Sequence, residues 1–91
     1  MIYSLSGTLV HTDSATAVVE CGGVGFKCFV SMNTLRRLPP PGSEVRLFTH
    51  MNVREDALDL FGFCDERELD MFRMITNVSG VGPKVAMSIL S

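Results

Sequence analysis

The 91-residue chain has no tryptophan, one tyrosine and three cysteines, and its longest apolar runs are only a few residues. Runs that short exclude a transmembrane helix. The start, Met1-Ile2-Tyr3-Ser4-Leu5-Ser6-Gly7, lacks the basic region and long apolar stretch of a signal peptide. A cytoplasmic location with no membrane partner is therefore the expectation. Cys21, Cys28 and Cys64 match no CxxC spacing, which argues against a zinc site or a disulfide scaffold and for reduced, buried thiols. Positive charge is not in excess either. Eight Lys/Arg face ten Asp/Glu for a net charge of −2, and residues 1–63 and 64–91 are alike in this balance. A simple polyanion binder gains its affinity by neutralising phosphates, so the composition argues against one. No phosphate loop of the GxxxxGK type occurs, and Gly22-Gly23-Val24-Gly25 fails the dinucleotide-binding spacing; it reads as a hairpin turn. No catalytic residue, metal ligand or cofactor is expected.

What is present is a globular composition, 46% hydrophobic and 20% charged. The first 63 residues read as strands: Ile2 to Val10, a turn at Asp13-Ser14, Ala17 to Val19, and Phe26 to Val30. A short helix, Met32 to Leu38, is stopped by Pro39-Pro40-Pro41-Gly42. From Val45 to Val53, Val45, Leu47, Thr49, Met51 and Val53 share one parity and should face the core. Arg46, Phe48, His50, Asn52 and Arg54 should face solvent or a partner. Ala57 to Phe63 is a last strand, which puts Glu55 and Asp56 at a hairpin tip. Five strands with a small helix between the third and fourth match the order of an oligonucleotide-binding (OB) barrel.

After Cys64 the period becomes helical. Asp65 suits a cap and Glu68 would complete a capping-box pair. Leu69, Phe72 and Ile75, with Met71 and Val78 beside them, form an apolar stripe. Asn77-Val78-Ser79-Gly80 ends that helix, and Pro83 opens another that breaks off in mid-pattern at Leu90-Ser91. The reading is thus mainly β: an OB-fold domain at 1–63, then a first helix-hairpin-helix motif of a truncated second domain at 64–91.

Two segments carry candidate chemistry. In Gly80-Val81-Gly82-Pro83-Lys84, Gly80 permits a positive φ, Gly82 leaves room for close backbone approach, and unpaired amides with Lys84 suit a phosphate. An ordinary αα-hairpin with a glycine cap and an N1 proline needs no ligand. Glu55 and Asp56 with His50 invite an acid–base or metal reading, but an exposed tip would desolvate neither carboxylate. The plain alternative is a solvated turn, and the functional one an element that repels phosphates. Arg36 and Arg37 read as a solvated pair, His11 and His50 as surface or rim residues, and the six methionines as fillers of a core or an interface.

The stretch Phe48-Thr49-His50-Met51-Asn52-Val53-Arg54-Glu55-Asp56-Ala57, then Leu60 to Phe63, Gly80 to Ala86 and Ile89 to Ser91, closely resembles the Holliday junction branch-migration RuvA family. Gly7 to Val10 and Gly23 to Phe26 fit it too, in register from Met1. The resemblance implies an OB-fold domain, a domain of two helix-hairpin-helix motifs and a mobile domain that binds the RuvB motor. It implies a homotetramer that holds four-way junction DNA open, with the RuvC resolvase as a further partner, in recombination, DNA repair and the SOS response. By position, Glu55 and Asp56 match the acidic pin. Gly80, Val81, Gly82 and Lys84 match the first hairpin, which grips the DNA backbone. Tyr3, Ser4 and Ser6 stand where the family commonly has glycine and arginines, and the second hairpin and motor-binding domain are missing, so coupling to RuvB is not expected. The rival readings are an oligomerisation core with little DNA affinity, and a helix-hairpin-helix nuclease or glycosylase. The latter needs a catalytic Lys/Asp pair after the hairpin, which residues 85–91 do not contain.

Overall fold

A computed structural model describes residues 1–91. Its strands are β1 (Ser4–Thr12), β2 (Thr16–Cys21), β3 (Val24–Val30), β4 (Glu44–Val53) and β5 (Leu58–Phe63). Helix α1 (Met32–Arg37) lies between β3 and β4, and α2 (Glu66–Thr76) and α3 (Pro83–Ile89) follow β5. The strands close into a barrel in the order β1-β2-β3-β5-β4, antiparallel throughout except for β3 and β5, which run parallel. The OB-type order expected from the sequence is therefore present. Strand ends differ by a residue or two: β1 is shifted to Ser4–Thr12, and α1 stops one residue early with Leu38 as its C-cap.

One strand serves two neighbours. The first half of β1, Ser4 to Thr8, pairs with β4, and Thr8 to Thr12 pairs with β2. A register shift between Leu9 and His11 bends the strand around this corner. Gly7 sits where β1 crosses onto β2, and a Cβ there would collide with the carbonyl of Glu20. No larger residue fits without moving the strands apart.

Leu5, Leu9, Ala17, Val19, Cys28, Val30 and Leu47 fill the barrel. A second cluster, Phe61, Phe63, Leu69, Phe72 and Ala86, joins β5 to α2 and α3. Phe72 is its centre, with ring centroids 5.2 Å from Phe61, 5.1 Å from Phe63 and 5.5 Å from His50. Offset and tilted aromatic contacts at these distances add to the area they bury. The helical segment thus shares apolar packing with the barrel wall.

Four sequence expectations need correction. The inward parity of β4 holds for Val45, Leu47 and Thr49 but fails at Val53, which is 63% exposed, because beyond Met51 the strand has left the barrel and pairs only with β5. On the opposite parity, Phe48 and His50 are half-buried, since the Phe72 cluster lies over them. Of the two methionine alternatives, core filling fails: Met1, Met32, Met71 and Met74 are exposed, Met51 is half-buried, and Met87 only packs half-buried against the Phe72 cluster. All three thiols are free, yet only Cys28 is buried, and burial pushes its pKa up to about 12.

Candidate nucleic-acid interface

The β4–β5 hairpin ends in a tight tip in which the Arg54 amide donates to the Ala57 carbonyl at 2.8 Å. Glu55 and Asp56 occupy that tip and both are exposed. Below them Arg54 reaches across to Asp59 at 3.5 Å. His50 is not part of this group; its ring lies against Phe72. Burial, and secondarily the charge of Arg73, holds its pKa below 6.5. No three His, Cys, Asp or Glu side chains come together as metal ligands would.

The glycine hairpin is built as the residue types dictate. Helix α2 starts at Asp65, whose carboxylate accepts the Glu68 amide at 2.8 Å. The Arg37 guanidinium and that amide together hold the Asp65 carboxyl below the usual carboxylate range. The reciprocal half of the expected capping box is absent, because the Glu68 side chain turns instead to α1. Past the helix end, Gly80 has φ +83, a left-handed value that few other residues tolerate. Gly82 is the N-cap of α3 and Pro83 its first residue.

Backbone bonding divides the hairpin. The Val81 amide donates to the Val78 carbonyl at 3.1 Å, and its side chain joins the Phe72 cluster. The amides of Gly80, Gly82, Lys84 and Val85 have no acceptor within the chain. At Gly82 φ is −88, and a Cβ would meet nothing within 4 Å. The fold itself does not require glycine there. The Lys84 ammonium lies 5.8 Å from the centroid of Phe29, within cation–π range.

The tip and the hairpin are neighbours. Asn52, Arg54, Asp59 and Phe61 line one open cleft of about 280 Å³ together with Gly82, Pro83, Lys84 and Val85. The structure therefore brings Gly82 and Lys84 beside the stem of the hairpin that bears Glu55 and Asp56. Among the cleft residues, Asn52 and Arg54 carry the outward parity of β4 as a sequence signal, Arg54 also its adjacency to the acidic pair, and Val85 carries none. At the departing N-terminal positions, the Tyr3 hydroxyl donates to Glu66 at 2.8 Å and its ring meets Phe48 edge-on at 6.0 Å. Tyr3 thus ties the start of β1 to α2. Arg37, read as solvated, pairs with Asp65 at 2.7 Å. No helix is long and apolar enough to cross a membrane.

Comparison with known proteins identifies the family. The family described as the RuvA N terminal domain matches residues 1–62. The Holliday junction branch migration complex subunit RuvA of Chlorobaculum tepidum is 55% identical over 91 residues, covering 100% of this chain and 45% of that protein. The proteins of the same name from Rhodospirillum centenum and Symbiobacterium thermophilum are 50% and 46% identical over the whole chain, which covers 44% of each. The chain spans about 45% of the length of the relatives it matches. With a closed five-strand barrel, a matching family over 62 of 91 residues and relatives 46–55% identical across this whole chain, the chain belongs to the RuvA N-terminal domain family.

Proposed function

We propose that this chain is a non-catalytic scaffold that binds four-way junction DNA by its shape, not its base sequence, within a branch-migration complex of recombination and repair. It works as a homotetramer in the cytoplasm. The observation that carries the reading is the shared cleft, which sets Gly82 and Lys84 against Arg54 at the root of the acidic tip.

Free amides at Gly80, Gly82 and Lys84 are suited to phosphate oxygens, and the Lys84 ammonium adds a full charge. The open space around Gly82 fits close approach by a ligand backbone. Contacts of this kind position a duplex and read no bases. Val81 secures the hairpin through its side chain. Glu55 and Asp56, exposed and unpaired, repel phosphates. Four copies around a tetramer axis would hold the crossover open and part the strands that enter it. Placed amides and a local repulsive element account for a DNA-binding chain with a net charge of −2. Strand exchange driven by ATP belongs to the RuvB motor and cleavage to the RuvC resolvase. A domain of residues 1–63 followed by a helix-hairpin-helix unit at 64–91 supplies the junction scaffold.

A second reading draws on the helical surface. Met74, Val78 and Ile89 are 69%, 57% and 59% exposed, which favours an assembly core with little DNA affinity. Titration of the chain against a fluorescent four-way junction and a matched duplex, at stated salt and with light scattering on the same samples, separates the two. Tighter junction binding by a tetramer is expected. An assembled particle with equal or no affinity for both DNAs would overturn the scaffold reading and leave the assembly core.

A further inference from the structure

Helix α1 is tied to the helical segment along its whole length. At its start, the Met32 amide donates to Ser91 Oγ at 3.0 Å. At its end, Arg37 pairs with Asp65 at 2.7 Å. Between them lies a buried carboxylate. Glu68 is 6% exposed, and Ser31 and Thr34 are 1% and 0% exposed. Glu68 Oε2 accepts from Ser31 Oγ at 2.7 Å and from Asn33 Nδ2 at 3.4 Å, while Oε1 accepts from the Thr34 hydroxyl. The Thr34 oxygen in turn accepts the Cys64 amide at 3.2 Å.

A carboxylate is costly to bury unless donors replace its water. Here three side chains do so, and no Lys or Arg forms an ion pair with it. Apolar packing between Phe72 and Phe61 holds α2 to the barrel, but the attraction that drives it is non-directional. Hydrogen bonds to both oxygens of one carboxylate fix a register.

We propose that Glu68 is a positioning residue: gripped by Ser31, Asn33 and Thr34, it sets the placement of α2, and so of the Gly80–Lys84 hairpin, relative to the Glu55–Asp56 tip. This deepens the junction-scaffold reading and rests on it for its DNA consequence.

The test uses the 91-residue chain with Glu68→Ala, Glu68→Gln, Thr34→Val and Thr34→Ser, read by amide hydrogen exchange and by junction and duplex affinity. Leaving buried donors unpaired in Glu68→Ala should raise exchange in residues 66–91 about tenfold, with the barrel strands unchanged. Junction affinity should drop by a similar factor. Glu68→Gln keeps an acceptor and should recover most of both. Thr34→Val should copy the alanine variant and Thr34→Ser should match the parent. If Glu68→Ala fails to fold, the Thr34 pair decides. Exchange that rises equally in barrel and helices, or not at all in both Glu68→Ala and Thr34→Val, would overturn the positioning role. If the parent chain shows no junction preference, the scaffold reading fails, while the exchange pattern still decides whether Glu68 fixes the helices.

Discussion

Val81 donates its amide to Val78 and buries its side chain beside Phe72, whereas the flanking amides of Gly80 and Gly82 have no acceptor in the chain. One hairpin therefore has a structural residue between two that are open to a ligand. Gly82→Glu should weaken duplex and junction binding alike by about tenfold, the scale of one lost hydrogen bond to a charged group. Val81→Ala should instead lower stability by roughly 1 kcal/mol through lost apolar burial and leave affinity near that of the parent. A gel-shift titration with Gly82→Glu unchanged would remove the hairpin from the interface.

Lys84 faces Phe29 at 5.8 Å and lines the cleft with Arg54. If it neutralises one phosphate, Lys84→Ala should reduce the slope of log affinity against log salt by about one, uniformly across DNA sequences. The check is anisotropy at several salt concentrations; a slope equal to that of the parent places the lysine off the DNA.

The acidic tip should act with the opposite sign. Replacing Glu55 and Asp56 together with lysine should tighten junction binding and relax the preference for junction over duplex, because repulsion at the crossover becomes attraction. Fluorescence anisotropy showing that preference intact would dismiss the repulsive role.

Phe72 joins helix to barrel, and Phe72→Ala should cost about 3–5 kcal/mol. Urea unfolding followed by circular dichroism measures this. A loss below about 1 kcal/mol, less than the usual large-to-small range, would mean that the aromatic cluster does not hold the two parts together.

His50 gives the fold a pH dependence. Burial holds its folded pKa below 6.5, so the unfolded chain takes up the proton first. The stability is fully present above that value and is lost as pH falls through it toward the folded pKa. The urea midpoint should drop as pH falls below that value, and His50→Phe should flatten this part of the curve. Parallel curves for the two proteins would contradict the assignment.

Local chemistry was easy to read in this sequence. The Gly22-Gly23 turn, the Asp65 cap, the Pro83 start of α3 and the left-handed Gly80 each follow from a few neighbouring residues. So did the position of Glu55 and Asp56, since a strand of clear alternation led directly into them. Longer-range matters were not legible. Glu68 has the right spacing for a capping box, yet Ser31 and Thr34, more than thirty positions earlier, take its carboxylate. Alternation correctly put Phe48 and His50 on one face but could not say that α2 would cover it. The cleft joins residues from two hairpins, and no periodicity announces a meeting between Arg54 and Gly82.

The parallel pairing of β3 with β5 rests on two residue matches, Phe29 with Phe61 and Val30 with Gly62. Every other strand pair is a longer antiparallel ladder. The seam unites segments far apart in the chain, so its entropy of closure is recovered by few contacts. Hairpins β2–β3 and β4–β5 join neighbouring segments, whereas this seam and the β1–β4 ladder join distant ones and should form after them. The cylinder thus shuts through its shortest ladder.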